Sequence, residues 1–228
     1  LDMEKCELLS GVFADAGEDP GVKAVLITAD GPHFSFGASV EEHLPDQIEA
    51  MLHGFHGLFR SILDSRVPTL AAVRGQCLGG AMELAIFTNR LFAAPDASLG
   101  QPEIVLGVVA PVASVMLADR VGRGRAEHFL LSGASMSAAD GLAIGLVDEL
   151  ADDPEAAALA YAREHLLPKS AASLRYAVRS ARIGFEERVR TELAEVERLF
   201  LQELIQTHDA VEGLIAFLEK RQAVWKNE

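Results

Sequence analysis

Two cysteines, Cys6 and Cys77, are all that 228 residues offer for sulfur chemistry, and they form no CxxC pair. A disulfide framework and a thiolate zinc site are therefore not indicated, and free thiols in a reducing, cytoplasmic compartment are expected. Long apolar runs are also missing: every run is interrupted by charge well before the ~18 residues that suggest a membrane span. Basic charge is scarce, with 20 Lys and Arg against 34 Asp and Glu and a net charge of −14. Nucleic-acid affinity comes largely from concentrated Lys and Arg, so this balance argues against a phosphate-backbone binder. There is no GxGxxG fingerprint, and Ser35, Ser39 and Ser98 lack the surroundings of a nucleophile elbow. No repeat or low-complexity linker is present. No signal peptide is read, and a chain that opens on Leu1 leaves targeting open.

What remains is a chain that is half apolar and long enough for one full core with a helical appendage. Helical periodicity runs over residues 1–16, where Met3, Cys6, Leu9, Val12 and Phe13 share a face. A short apolar strand follows at 22–28, and a loop at 33–39 contains Gly37. Over 46–63 the residues Ile48, Met51, Leu52, Phe55, Leu58, Phe59 and Ile62 mark an amphipathic helix. Two short helices are expected at 112–121 and 124–131, split by Gly122-Arg123. Ser137 and Asp140 have capping-box spacing before a helix that ends at Gly145, and a brief strand spans 146–150. Beyond Pro154 helices are expected at 155–166, 171–183, 185–207 and 211–224. Strands alternating with helices, then helices alone, give an α/β core over 1–150 and a helical region over 151–228.

The chemistry concentrates in residues 73–103, VRGQCLGGAMELAIFTNRLFAAPDASLGQPE. An apolar strand at 69–73 leads to Gly79-Gly80, which open a helix carrying a single acid, Glu83. Without a Cβ at that turn, backbone N–H groups can approach a ligand, and the helix dipole favours negative charge there. Glu83 alone reads equally well as an acid favoured by the dipole of its helix, although its neighbours Ala81, Met82, Leu84, Ala85 and Ile86 are all apolar. Glu103, alone, is an ordinary loop acid after Gly-Gln-Pro. Together they offer what general acid–base chemistry requires: one carboxyl holds a proton while the other activates water. His53 and His56 have i,i+3 spacing but no acid in register, and a partly exposed polar face is expected there rather than a metal site. Arg120, Arg123 and Arg125 are too few for a nucleic-acid patch and are expected to cover a surface or meet a phosphate.

At these residues the chain resembles the enoyl-CoA hydratase/isomerase (crotonase) superfamily. VKAVLITADGPHFSFGAS is similar to that family's strand and first oxyanion loop, and VRGQCLGGAMELA to its second. SLGQPEIVLGVV, SAADGLAIGLVDEL and AFLEKRQAVW match later segments in order. The resemblance implies a spiral of ββα units with a C-terminal helical trimerisation region, assembled as a trimer or a dimer of trimers. It implies an acyl-CoA hydratase that adds water to, or removes it from, an unsaturated thioester. Glu83 and Glu103 fall on the family's catalytic glutamates, and the N–H groups of Ala38 and Gly80 on its oxyanion hole. Phe34, Phe36, Gly37, Gly79, Pro111, Phe217 and Lys220 fall on positions near the coenzyme A thioester. No metal or redox cofactor is implied, coenzyme A being part of the substrate, and neither a nucleic acid nor a membrane is an expected partner. Isomerase or ring-opening hydrolase activity on the same scaffold is the alternative, followed by a non-catalytic or RNA-binding homologue. Ser39 stands where the family often has Asp, and Ala110-Pro111-Val112-Ala113-Ser114 replaces a PGAGG-like run. FSFGASVEEHLP is most similar to hydratases of cyclic dienoyl thioesters, the cyclohexa-1,5-diene-1-carbonyl-CoA hydratase group.

Overall fold

Asp2 starts the first helix: its side chain accepts from the Lys5 N–H and caps α1 (Met3–Glu18) in the computed structural model, which describes residues 1–228. Cys6, Phe13 and Ala16 are buried on α1, which lies along the later helix α2. Strand β1 (Val25–Ile27) follows, and then the amphipathic helix α2 (Ile48–Ser65). The apolar periodicity of α2 is realised in full, with Ile48, Met51, Leu52, Phe55, Leu58, Phe59 and Ile62 all buried.

Two ββα units follow. The first is β2 (Thr69–Val73), β3 (Gln76–Leu78) and α3 (Gly80–Phe87). The second is β4 (Arg90–Ala93), β5 (Ser98–Gly100), a 3₁₀ turn at Glu103–Leu106, and α4 (Pro111–Val121). Then come α5 (Arg123–Ser132), β6 (Ser135–Ser137), α6 (Ala138–Ala143), β7 (Glu149–Leu150), α7 (Pro154–Tyr161), α8 (Ala171–Gln202) and α9 (His208–Leu218). One sheet is parallel throughout in the order β1-β2-β4-β7, and a second runs β3-β5-β6 with β6 antiparallel. All five residues of β2 are buried, as a parallel strand covered on both faces requires. Its far face is covered by α7, where Ala158 packs with Leu70, Ala72 and Phe92. On the near face lies the main core, to which α8 contributes Val189, Leu193 and Phe200.

The structure departs from the sequence reading at several elements, among them the unexpected strand β6 and a last strand shortened to Glu149–Leu150. Gln76–Leu78 form a separate strand, which three residues between two glycine turns do not signal by periodicity. Residues 171–202 form one helix rather than two. Gly184 sits in open space within α8, and its cost of ~1 kcal/mol in a helix interior is outweighed by the packing of the surrounding turns. The last helix ends at Leu218, short of the expected 224. No helix is long and apolar enough to cross a membrane.

Candidate active site

Three segments meet at the N-terminus of α3. The loop carrying Phe36, Gly37 and Ala38 is drawn against β3 by a bridge between Ser35 and Cys77. Gly37 (φ +106°) lies so close that an added Cβ would stand 3.0 Å from the Leu78 carbonyl oxygen and 3.5 Å from the Gly80 nitrogen. Ala38 is brought beside Gly80, where a Cβ would come 3.5 Å from that of Ala38. The N–H groups of Ala38 and Gly80 donate to no acceptor within the chain. Two such donors facing one spot can hold an oxygen that gains negative charge, with the dipole of α3 behind them.

Glu83 stands in the first turn of α3, a helix buried from end to end, and is 2% exposed. Its carboxylate takes the place of a cap for α4: the Ala113 N–H donates to Oε1 at 2.7 Å. Burial raises its pKa above the ordinary carboxylate value, against a smaller lowering by the Ala113 and Val112 N–H groups. Glu103 reaches the same place from the 3₁₀ turn after β5, and a Cβ on Gly79 would lie 2.8 Å from its Oε1. Its pKa is raised too, first by burial and then by the charge of Glu83. Two carboxyls so placed share a site in which ionising both is costly.

Both acids open on a cavity of about 380 Å³ whose wall is otherwise mostly apolar. Phe36, Gly37, Ala38, Gly79, Gly80, Pro111 and Phe217 line it, so most of the positions named from the sequence come together. Phe34 does not; it is 8% exposed and belongs to the core. Lys220 is also outside the wall, exposed beyond the end of α9. The sequence reading overlooked α2, which supplies Met51, Leu52 and Phe55 to the cavity, and His43 of the 3₁₀ turn Glu41–His43. It also overlooked Gln101, 1% exposed, which donates to both Glu103 oxygens at 3.0 and 3.1 Å with its amide nitrogen turned toward them.

The His53–His56 pair corrects the reading of a polar helix face. His56 is fully buried and bonds to Glu197 of α8, which His53 also reaches at 3.2 Å. The acid absent in register along α2 arrives from another helix. Arg120 donates to the main-chain carbonyls of Ile86 and Thr88 and pairs with the Asp148 carboxylate.

Over residues 1–228 the chain matches the enoyl-CoA hydratase/isomerase family. It is 59% identical over 208 residues to the cyclohexa-1,5-dienecarbonyl-CoA hydratase of Thauera aromatica, covering 91% of this chain and 81% of that protein. A probable enoyl-CoA hydratase of Mycobacterium bovis is 35% identical over 225 residues, covering 97% and 87%. The crystal structure of an enoyl-CoA hydratase/isomerase from Pseudoalteromonas atlantica shares the fold, with a TM-score of 0.89 at 24% identity over 99% of this chain and 90% of that one.

Proposed function

The chain belongs to the enoyl-CoA hydratase/isomerase family, and we propose that it is an acyl-CoA hydratase acting on a cyclic dienoyl thioester. The observation that carries the reading is the pair of acids, buried Glu83 and half-buried Glu103, beside two unused N–H groups in one apolar cavity. The similarity to a hydratase named for a cyclic diene supports the substrate class.

The mechanism follows from the electrostatics. Glu83 ionises first, because α4 offers it two main-chain N–H groups, and acts as the base. It takes a proton from water as the oxygen forms a bond to the electron-poor carbon of the unsaturated system. The displaced electron pair moves onto the thioester oxygen, held by the Ala38 and Gly80 N–H groups, where one lost donor typically costs about 10²–10³ in rate. Glu103, which keeps its proton longer because burial and the charge of Glu83 both oppose ionisation, then protonates the carbon skeleton. One water is added, and the pair ends with its proton on the other glutamate. Dehydration is the same path in reverse. In this reading the reaction needs no metal or redox cofactor, the pantetheine arm passes Phe36 and Phe217, and the enzyme works in the cytoplasm.

The assembly we infer is a homotrimer or a dimer of trimers built through residues 151–228. Exposed apolar side chains such as Tyr176 and Ile183 of α8 support an assembled state.

The test is a panel of cyclic and linear enoyl-CoA thioesters, followed by absorbance and by mass. Hydration adds one water to the product, and isomerisation adds none. A product of unchanged mass with every thioester would overturn the hydratase reading.

A further inference from the structure

His43 is the one polar side chain in the cavity wall besides the two glutamates. Around it the wall is apolar, formed by Val40, Met51, Leu52, Phe55, Leu214 and Phe217. A lone polar group in an apolar binding wall fixes orientation and selects ligands, so what it offers matters.

Its chemistry is set by one neighbour. Nδ1 lies 2.6 Å from the Ser39 carbonyl oxygen. A carbonyl oxygen can only accept, so Nδ1 carries the hydrogen. Ser39 is itself fastened, its N–H donating to the Leu1 carbonyl and its hydroxyl to Glu41. Burial lowers the pKa of the imidazole, so the ring is neutral at neutral pH. In that tautomer Nε2 is a lone-pair acceptor, and it has no partner within the chain. An acceptor held this way is matched by a ligand with a donor. A purely hydrocarbon acyl group leaves it without one.

We propose that His43 is a specificity-determining residue whose Nε2 accepts a hydrogen bond from a hydroxyl on the acyl group, so that the cavity prefers a hydroxylated acyl-CoA to its hydrocarbon counterpart. The inference rests on the reading of the cavity as an acyl-CoA site.

The experiment uses saturated, unreactive thioesters, so that turnover does not enter. Cyclohexanecarbonyl-CoA and its 3- and 4-hydroxy derivatives, whose hydroxyls are not β to the thioester and cannot be eliminated by the reverse reaction, are titrated into wild type, His43→Leu and His43→Gln by calorimetry. Wild type should bind at least one hydroxylated thioester about tenfold more tightly than the parent, the upper scale of one neutral hydrogen bond. His43→Leu should erase that ratio. His43→Gln, whose amide oxygen can reach the position of Nε2, should restore part of it. Thermal unfolding of the three proteins establishes that each is folded. Equal ratios in wild type and His43→Leu would overturn the proposal, as they would if Nε2 held only water. If no coenzyme A thioester bound wild type at all, the acyl-CoA reading itself would fail, which is a different outcome.

Discussion

In the proposed mechanism Glu83 and Glu103 act through raised pKa values, which in both come first from desolvation. Replacing either by Gln keeps the shape and removes the proton transfer, so Glu83→Gln and Glu103→Gln should each lower kcat by about 10²–10⁴. Stopped-flow hydration of the best thioester in the panel measures this, and near wild-type rates in both variants would refute the mechanism. Gly79 gives a second prediction. Its φ of +55° and ψ of −133° suit glycine alone, and an added Cβ would meet the Glu103 carboxylate. Gly79→Ala should cost about 1–3 kcal/mol of stability from backbone strain. It should also slow turnover by about 100-fold, the effect of displacing a catalytic group by ~1 Å. Thermal unfolding and kcat together test it, and unchanged kcat would mean that Glu103 does not work from where the structure holds it.

Among the elements, α3 is held at both ends for different reasons. Its N-terminus faces the cavity, with Glu83 bonded across to α4. Its C-terminal carbonyls are met by cations: Arg120 reaches Ile86 at 3.1 Å and Thr88 at 2.6 Å, and Arg182 of α8 reaches Phe87 at 2.8 Å. Positive charge at that end also suits the helix dipole. Arg120→Leu should therefore lower the unfolding free energy by about 1.5–3 kcal/mol, the worth of hydrogen bonds to a charged group. Urea denaturation reads it, and a change within about 0.5 kcal/mol would show that the cap does not hold α3. Helix α2 serves both core and cavity, since Phe59 is core while Phe55 one turn earlier faces the cavity. Its periodicity announced a buried face but could not divide that face between core and ligand.

For the molecule as a whole, the paired acids tie stability to pH. Both carboxyls have raised pKa values in the folded chain, chiefly through burial. Above the ordinary carboxylate range of ~4.3, the folded state keeps protons that the unfolded state has released. Stability therefore falls as pH rises through that window, because the unfolded state binds fewer protons. The Glu83→Gln/Glu103→Gln double variant lacks this penalty. Its unfolding temperature should exceed that of wild type by a margin that widens from about pH 5 to about pH 8. A constant margin would mean that the acids are solvated in the folded protein.

The order of elements, the two acids and the glycine turn were legible in the amino-acid sequence, because each leaves a local mark: a period, a missing Cβ, a charge among apolar neighbours. The same residues carried a segment-by-segment resemblance strong enough to fix the family. The break expected between residues 183 and 185 does not occur, since local propensity does not register the packing of α8 on helices far away in the chain. The roles of His43, Gln101 and Phe55 emerged only once the chain was folded. Nothing local distinguishes a histidine in EEHLP, or a glutamine before Pro102, from any surface residue. Only the folding of distant loops around one cavity gives a lone ring nitrogen or amide its meaning, because hydrogen bonding and burial depend on what the rest of the chain brings near.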